Sequence, residues 1–386
     1  MNSCFTSAFR RFAALLFIAL LPTAAIPSAT AKPSFQLNGQ QWTYTSEART
    51  FSGYLVKPDG EGPFPAVIIN HGKGGRPDHF SLNWAREMAK WGLVGICPTL
   101  THVAGTDIQG QEGASAENIA RAEVCLSILA DLGYVDMNRV AVTGHSMGAY
   151  LTIGFAGTVG SRIKAAAISA GGANARPDVP MPHVDLAAKI TAPVLILHGT
   201  ADPAVAYSAS VLLNDTLTAK NIPSRHVTFL GMDHSLPTNP ATRDVVLTLI
   251  REWFAAQGVL DTGANTAPAL TPPPDTTLAA SDRESTFPFT VGDRETAPAK
   301  LRVTAATSNP EVLPPAHLEL GGSRKNRTLT VKRAPGQAGP VTVFLTVSDG
   351  ERMTTRSFSI GFANENGAVP EPVIKRRSRP SARPNP

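Results

Sequence analysis

Cysteine, aromatic side chains and charge are all sparse in this chain. Of 386 residues, three are cysteine, 6% are aromatic and 17% are charged. So few cysteines exclude a disulfide-built scaffold, and no Cys/His spacing resembles a metal site. Little charge beside 42% hydrophobic residues excludes global disorder, because that much apolar surface can form a core. The formal net charge of +5 is confined to the two ends. Residues 1–31 hold two arginines and no acid, and residues 363–386 hold five basic and two acidic side chains. The 331 residues between them carry 28 of each sign. A nucleic-acid partner is therefore not expected, since its basic density would lie on the folded body. Long hydrophobic runs are missing as well. The run Phe12 to Leu21 has ten residues, about half of the roughly 20 that span a bilayer, and no later stretch is long enough.

That run follows Arg10 and Arg11 and precedes small residues ending in Ala29-Thr30-Ala31. Residues 1–31 thus read as a cleavable secretory signal peptide, with Lys32 as the mature N-terminus and a secreted or periplasmic destination. Cys4 precedes the apolar run, so a lipoprotein anchor is not indicated. Cys97 and Cys125 remain after cleavage. They can form one disulfide or stay as two buried thiols, one on a strand and one on a helix. Neither has the setting of a nucleophile.

Composition changes near residue 260, and half of the 32 prolines fall beyond it. Before that point apolar strands alternate with helical patterns. Strands are expected at Ala66–Asn70, Gly92–Cys97, Arg139–Thr143, Ala165–Ser169, Pro193–His198 and Arg225–Leu230. Helices are expected near 80–91, 115–132, 147–157, 207–220 and 241–256. Continuous apolar strands separated by amphipathic helices predict a mostly parallel sheet covered on both faces. Phe35 to Pro58 is expected to add antiparallel edge strands. Residues 261–281, with Pro272-Pro273-Pro274 and no periodicity, read as an extended linker. Beyond it, alternating runs such as Phe287–Val291, Leu301–Thr304, Thr328–Val331 and Thr342–Val347 predict a small β-sandwich over 282–362, with Gly321-Gly322 taken as a turn. Residues 363–386 are proline-rich and basic, and read as a disordered tail.

The chemistry concentrates in Gly144-His145-Ser146-Met147-Gly148, between the strand RVAVT and a helical stretch. A G-x-S-x-G sequence in a strand–turn–helix setting lifts the serine above the sheet, and glycine flanks avoid clashes in so sharp a turn. Serine needs a base, and in this order the acid and the base come later, each after its own strand. Asp202 follows the strand PVLILH and His234 follows RHVTFL. Their roles would be to orient the imidazole and to shuttle the proton. Asp233 is too close in sequence to face the His234 ring; Asp178 and Asp185 fall in a short cap over 170–186, and Asp215 in a helix. His198 and His226 border strands and read as satisfied structural histidines. His145 is expected to flank the nucleophile. Two backbone donors should stabilise the developing oxyanion: Met147 N–H, and Lys73 N–H from the loop His71-Gly72-Lys73-Gly74-Gly75, with Gly74 as the alternative.

On GHSMG, HGTADPAV, GMDHS and the HGKGG loop, residues 35–257 resemble an α/β-hydrolase of the dienelactone hydrolase family. The resemblance implies the α/β-hydrolase fold and the triad Ser146, His234 and Asp202. Serine stands where the namesake enzymes carry cysteine, pointing to ordinary ester chemistry. Pro98-Thr99-Leu100-Thr101-His102 departs from the family's usual turn, so no pocket chemistry is carried over. Residues 282–362 resemble the Ig-like or cadherin-like modules of exported bacterial proteins, which act as spacers or adhesive units. Asp293, Glu295 and Asp349 there are candidates for calcium or, more simply, for turns.

The expected function is an exported serine esterase with an acyl-enzyme intermediate, requiring no organic cofactor or catalytic metal. Polyester or peptide cleavage on the same triad is the alternative within hydrolases. An adhesin-like binding protein with a vestigial hydrolase is the alternative outside them. The basic tail, or the β module, would associate weakly with an envelope or polymer.

Overall fold

The computed structural model describes residues 34–46, 49–106, 108–176, 180–261 and 263–372. The signal-peptide reading and the basic run of the tail fall outside these residues, as does Asp178.

The first unit contains β1 (Ser34–Asn38), β2 (Gln41–Ser46), β3 (Arg49–Val56), β4 (Phe64–Asn70), α1 (Phe80–Ala89), β5 (Val94–Pro98), α2 (Ala116–Asp131), β6 (Val135–His145), α3 (Met147–Val159), β7 (Ala165–Ser169), α4 (Val184–Ala187), β8 (Val194–Gly199), α5 (Tyr207–Ala219), β9 (Ser224–Phe229) and α6 (Arg243–Ala256). They form one nine-stranded sheet in the order β1-β2-β3-β5-β4-β6-β7-β8-β9. The first three strands are antiparallel, and β5 onward along the sheet is parallel. Every residue of β7 and β8 is buried, as a parallel strand with helices on both faces requires. Alternation along β4 divides the core. Ala66 and Ile68 join the cluster packed against α2, α3 and α5, while Val67 and Ile69 join the cluster packed against α1 and α6.

The second unit contains β10 (Ala269–Thr271), β11 (Thr276–Leu278), β12 (Glu284–Gly292), β13 (Arg302–Thr307), β14 (Leu318–Ser323), β15 (Asn326–Lys332), β16 (Gly339–Ser348) and β17 (Met353–Phe362). Two four-stranded sheets, β10-β12-β15-β14 and β11-β17-β16-β13, enclose a separate core that includes Leu329, Val331, Val343, Leu345 and Ile360.

Two expectations are corrected here. Residues 261–281 do not simply link: β10 pairs antiparallel with β12, and β11 pairs parallel with β17. Three-residue strands on either side of a proline run are too short to show alternation. Gly321-Gly322 lies inside β14, paired with Thr328 and Arg327, rather than at a turn.

The two units share core. Val343 and Leu345 of β16 face the sandwich interior, so Phe344 between them points the other way and joins the apolar cluster under α6. Its ring centroid lies 4.6 Å from that of Phe229 at the end of β9. Cys97 on β5 and Cys125 on α2 are free, buried thiols. Burial pushes the Cys97 thiol up to about 12 and also raises that of Cys125.

Candidate active site

Lys73, Ser146, Asp202 and His234 lie where the chain leaves the C-terminal ends of the parallel strands β4, β6, β8 and β9, and Met147 opens the helix that follows β6. Between β6 and α3 the chain turns at Ser146 itself, with φ 56° and ψ −121°. A side-chain-bearing residue held in that region carries strain of order 1–3 kcal/mol, sustained only by rigid surroundings. Those surroundings are closely packed. A Cβ on Gly148 would stand 2.1 Å from Asn70 O, and one on Gly144 would stand 2.3 Å from Gly148 O. Only glycine fits at either flank, which is the physical content of the G-x-S-x-G pattern. Ser146 N–H donates to Ser169 O at 3.0 Å, tying the turn to β7.

The structure brings Ser146, His234 and Asp202 together. Ser146 Oγ lies 2.8 Å from His234 Nε2, and His234 Nδ1 lies 2.7 Å from Asp202 Oδ2. The other carboxylate oxygen accepts the N–H groups of Ala204 and Val205 at 2.8 and 2.9 Å. Burial alone would raise the Asp202 carboxyl. The bonds from His198, His234 and the Val205 N–H outweigh it, so the group sits well below the usual carboxylate range. An acceptor that stays ionised at Nδ1 leaves Nε2 free to take a proton from Oγ. The His234 side chain is 27% exposed to solvent, whereas the Asp202 side chain is sealed beneath it.

The glycine-rich loop after β4 abuts the elbow, since a Cβ on Gly72 would lie 3.2 Å from Ser146 Cβ. Two histidines set its shape. His71 Nε2 accepts Leu100 N–H at 3.2 Å, so its proton is on Nδ1, facing Gly72 O at 2.9 Å. His102 Nε2 donates to His71 O at 3.0 Å. Gly74 N–H donates to His102 O at 2.8 Å, which removes it as an oxyanion donor. Met147 is the first residue of α3, and its N–H has no acceptor within the helix. The Lys73 side chain lies 3.6 Å from Glu112 Oε1.

The competing residues have other partners. Asp233 Oδ1 accepts from Ser235 N–H and Oγ, Asp185 lies 3.3 Å from His183, and Asp215 is within α5. His145 faces Ser169 Oγ at 3.0 Å, with its ring 4.9 Å from that of His234. Burial, reinforced by the neighbouring His234, drops its pKa to about 3. His226 meets Ser210 Oγ at 3.1 Å. In the β module, Asp293 and Asp349 accept backbone N–H groups two and three residues on, and Glu295 accepts from Thr266, so all three serve turns or loops.

His198 departs from expectation. Its Nε2 points at both Val205 O, 3.1 Å away, and Asp202 Oδ2, 3.3 Å away, so that nitrogen carries the proton. Nδ1, buried on the far side, has no partner among the described residues. Asp202 thus holds two imidazoles. The only trace of this in sequence is the four-residue spacing within His198-Gly199-Thr200-Ala201-Asp202.

A second feature has no local sequence signal. Thr342 and Ser308 of the β module grip the strand end that leads to His234. Leu230 N–H donates to Thr342 Oγ1 at 3.0 Å, Thr342 Oγ1 donates to Thr228 O at 3.0 Å, and Ser308 Oγ donates to Leu230 O at 2.5 Å. Thr342 N–H completes the set by donating to Ser308 Oγ at 2.8 Å.

A mostly parallel sheet with helices on both faces, and these loops at its C-terminal edge, define an α/β-hydrolase. The family model for the dienelactone hydrolase family matches residues 51–245, slightly more than half of the chain, and the chain belongs to that family. Among solved structures, it is similar to a candidate dienelactone hydrolase from Klebsiella pneumoniae, with 23% identity over 54% of this chain and 95% of that one, at TM-score 0.49. It is also similar to dipeptidyl peptidase 4 from Porphyromonas gingivalis, at 19% identity over 58% of this chain and TM-score 0.49. The matched part is 35% of that peptidase's length. Acylaminoacyl peptidase from Pyrococcus horikoshii is similar at 17% identity over 58% of this chain and 42% of that one, at TM-score 0.48. No curated protein matches the chain.

Proposed function

We propose that this hydrolase is an exported serine esterase that cleaves carboxylic esters through an acyl-enzyme. One observation carries the reading: a strained Ser146 placed 2.8 Å from His234 Nε2, whose Nδ1 is held 2.7 Å from a buried, ionised Asp202. As Ser146 Oγ bonds to the ester carbonyl carbon, its proton passes to His234 Nε2. The carbonyl electrons move to oxygen, where the N–H groups of Met147 and Lys73 stabilise the charge. The imidazolium then protonates the departing alkoxide, and water reverses the sequence to release the acid. Asp202 keeps the proton on Nδ1 throughout. Tyr150, one turn into α3, lines a mostly apolar cavity of about 640 Å³ with Ala173, Met181 and Leu212, to which none of Ser146, Asp202 or His234 contributes.

Export rests on the signal-like residues 1–31, and the sandwich is read as an Ig-like module. Ser146→Ala should lower kcat on p-nitrophenyl butyrate about a million-fold while the circular dichroism spectrum is unchanged. Residual activity within tenfold of wild type would reject the triad. Polyester film and peptide anilides in the same panel separate the alternative substrates. Failure of a fluorophosphonate probe to label the folded wild-type protein would favour a binding role instead.

A further inference from the structure

Between α6, the turn at 349–352 and the start of β17 lies a cavity of about 870 Å³, to which none of Ser146, Asp202 or His234 contributes. Trp91, Trp253 and Leu260 give it apolar walls. Four arginines line it, and among the described residues only Arg225 has a carboxylate at ion-pair distance, Glu252 at 3.4 Å. Arg251 donates to Glu351 O at 3.3 Å, Arg352 to Asn265 O at 2.7 Å and Arg356 to Thr355 O at 3.0 Å. Each of these three guanidinium groups is therefore held in position by a backbone carbonyl, with no carboxylate at ion-pair distance among the described residues. Three carboxylates line the cavity beside the four arginines, and each also accepts a bond from a neutral donor. Glu252 also accepts from Thr355 Oγ1, Glu351 Oε2 from Asn265, and Asp261 Oδ1 from Gly263 N–H. Partial burial lowers the pKa of Arg251, as expected of a cation short of a counter-charge. Trp253 Nε1, enclosed in the same wall, has no acceptor among the described residues.

We propose that this interdomain cavity binds an organic carboxylate with an apolar body. The geometry supplies both halves of such a ligand. Guanidinium N–H groups left over after the carbonyl contacts can grip a carboxylate in paired fashion, and the indoles and Leu260 take the hydrocarbon part. A neutral molecule of the same shape would leave the excess of four arginines over three carboxylates uncompensated.

The test is calorimetric titration of the full-length protein with 1-naphthoate and with its uncharged analogue 1-naphthalenemethanol. Naphthoate should bind once per chain and at least tenfold more tightly than the alcohol. The Arg251→Gln/Arg352→Gln double variant should lose at least tenfold in naphthoate affinity, whereas Arg302→Gln, an exposed arginine outside the cavity, should lose none. If the double variant melts well below wild type, Arg356→Gln, on an exposed side chain, replaces it with the same expectation. Absence of saturable binding, equal affinity for acid and alcohol, or indifference to the cavity arginines would each overturn the proposal.

Discussion

At the scale of the residue, the site depends on side chains that hold other side chains. Asp202 is useful only if it stays ionised while sealed from water, and its two backbone donors and two imidazoles achieve this. His198 is the partner that contributes no proton of its own to the reaction. Replacing it with glutamine keeps one donor but loses the fixed ring geometry, and a hydrogen bond to a charged group is worth about 1.5–3 kcal/mol. His198→Gln should accordingly reduce kcat roughly tenfold or more with little change in KM. A fall in affinity without a fall in kcat would show that His198 shapes the substrate pocket instead.

At the scale of the element, β9 and its following loop are held from both sides. Within the hydrolase unit, Thr200 Oγ1 accepts Gly231 N–H at 3.0 Å, and Ala201 N–H reaches Met232 O at 3.0 Å. From the β module, Thr342 and Ser308 engage Thr228 and Leu230, and Asn309 sits so close to Gly231 that an added Cβ would lie 2.3 Å from its Nδ2. His234 projects three residues beyond this grip, so the sandwich helps to place the proposed base. Thr342→Val preserves volume while removing the hydroxyl. It should lower kcat about tenfold and leave the far-ultraviolet spectrum intact, as steady-state kinetics on the purified full-length variant would show. Wild-type kcat in that variant would mean that the module merely covers apolar surface.

At the scale of the whole molecule, one stability trend follows from buried imidazoles. Burial lowers the pKa of His71 to about 4, His145 to about 3 and His226 to about 4, from an ordinary 6.5. An unfolded chain takes up these protons near pH 6.5 and the folded chain does not. The folded state therefore keeps its full stability above about 6.5 and loses it as pH falls towards 4. Asp202 acts in the same direction in stronger acid, since its depressed carboxyl stabilises the fold only while ionised. Urea midpoints should be level above pH 7 and fall steadily between pH 6.5 and 4. A midpoint at pH 4.5 equal to that at pH 7.5 would contradict the assignment of these histidines as neutral. Because Phe344 is buried against Phe229, both units should lose structure in a single acid transition.

What the sequence determined by itself is local. The parallel strands are visible as short apolar runs, because a strand covered on both faces can show little else. Ser146, Asp202 and His234 are visible because each follows its own strand, and because only glycine fits on either side of the turn at Ser146. What the tertiary structure alone decided is carried by contacts between distant residues. Leu230 and Thr342 are 112 positions apart, and Arg251 and Glu351 are 100 apart. The strands at 269–271 and 276–278 exist only through partners further along the chain. Pairings over such separations leave no periodicity in either segment. The sequence could therefore present the β module as an appendage, and only the folded chain shows it sharing a core with the hydrolase and bracing the loop that carries His234.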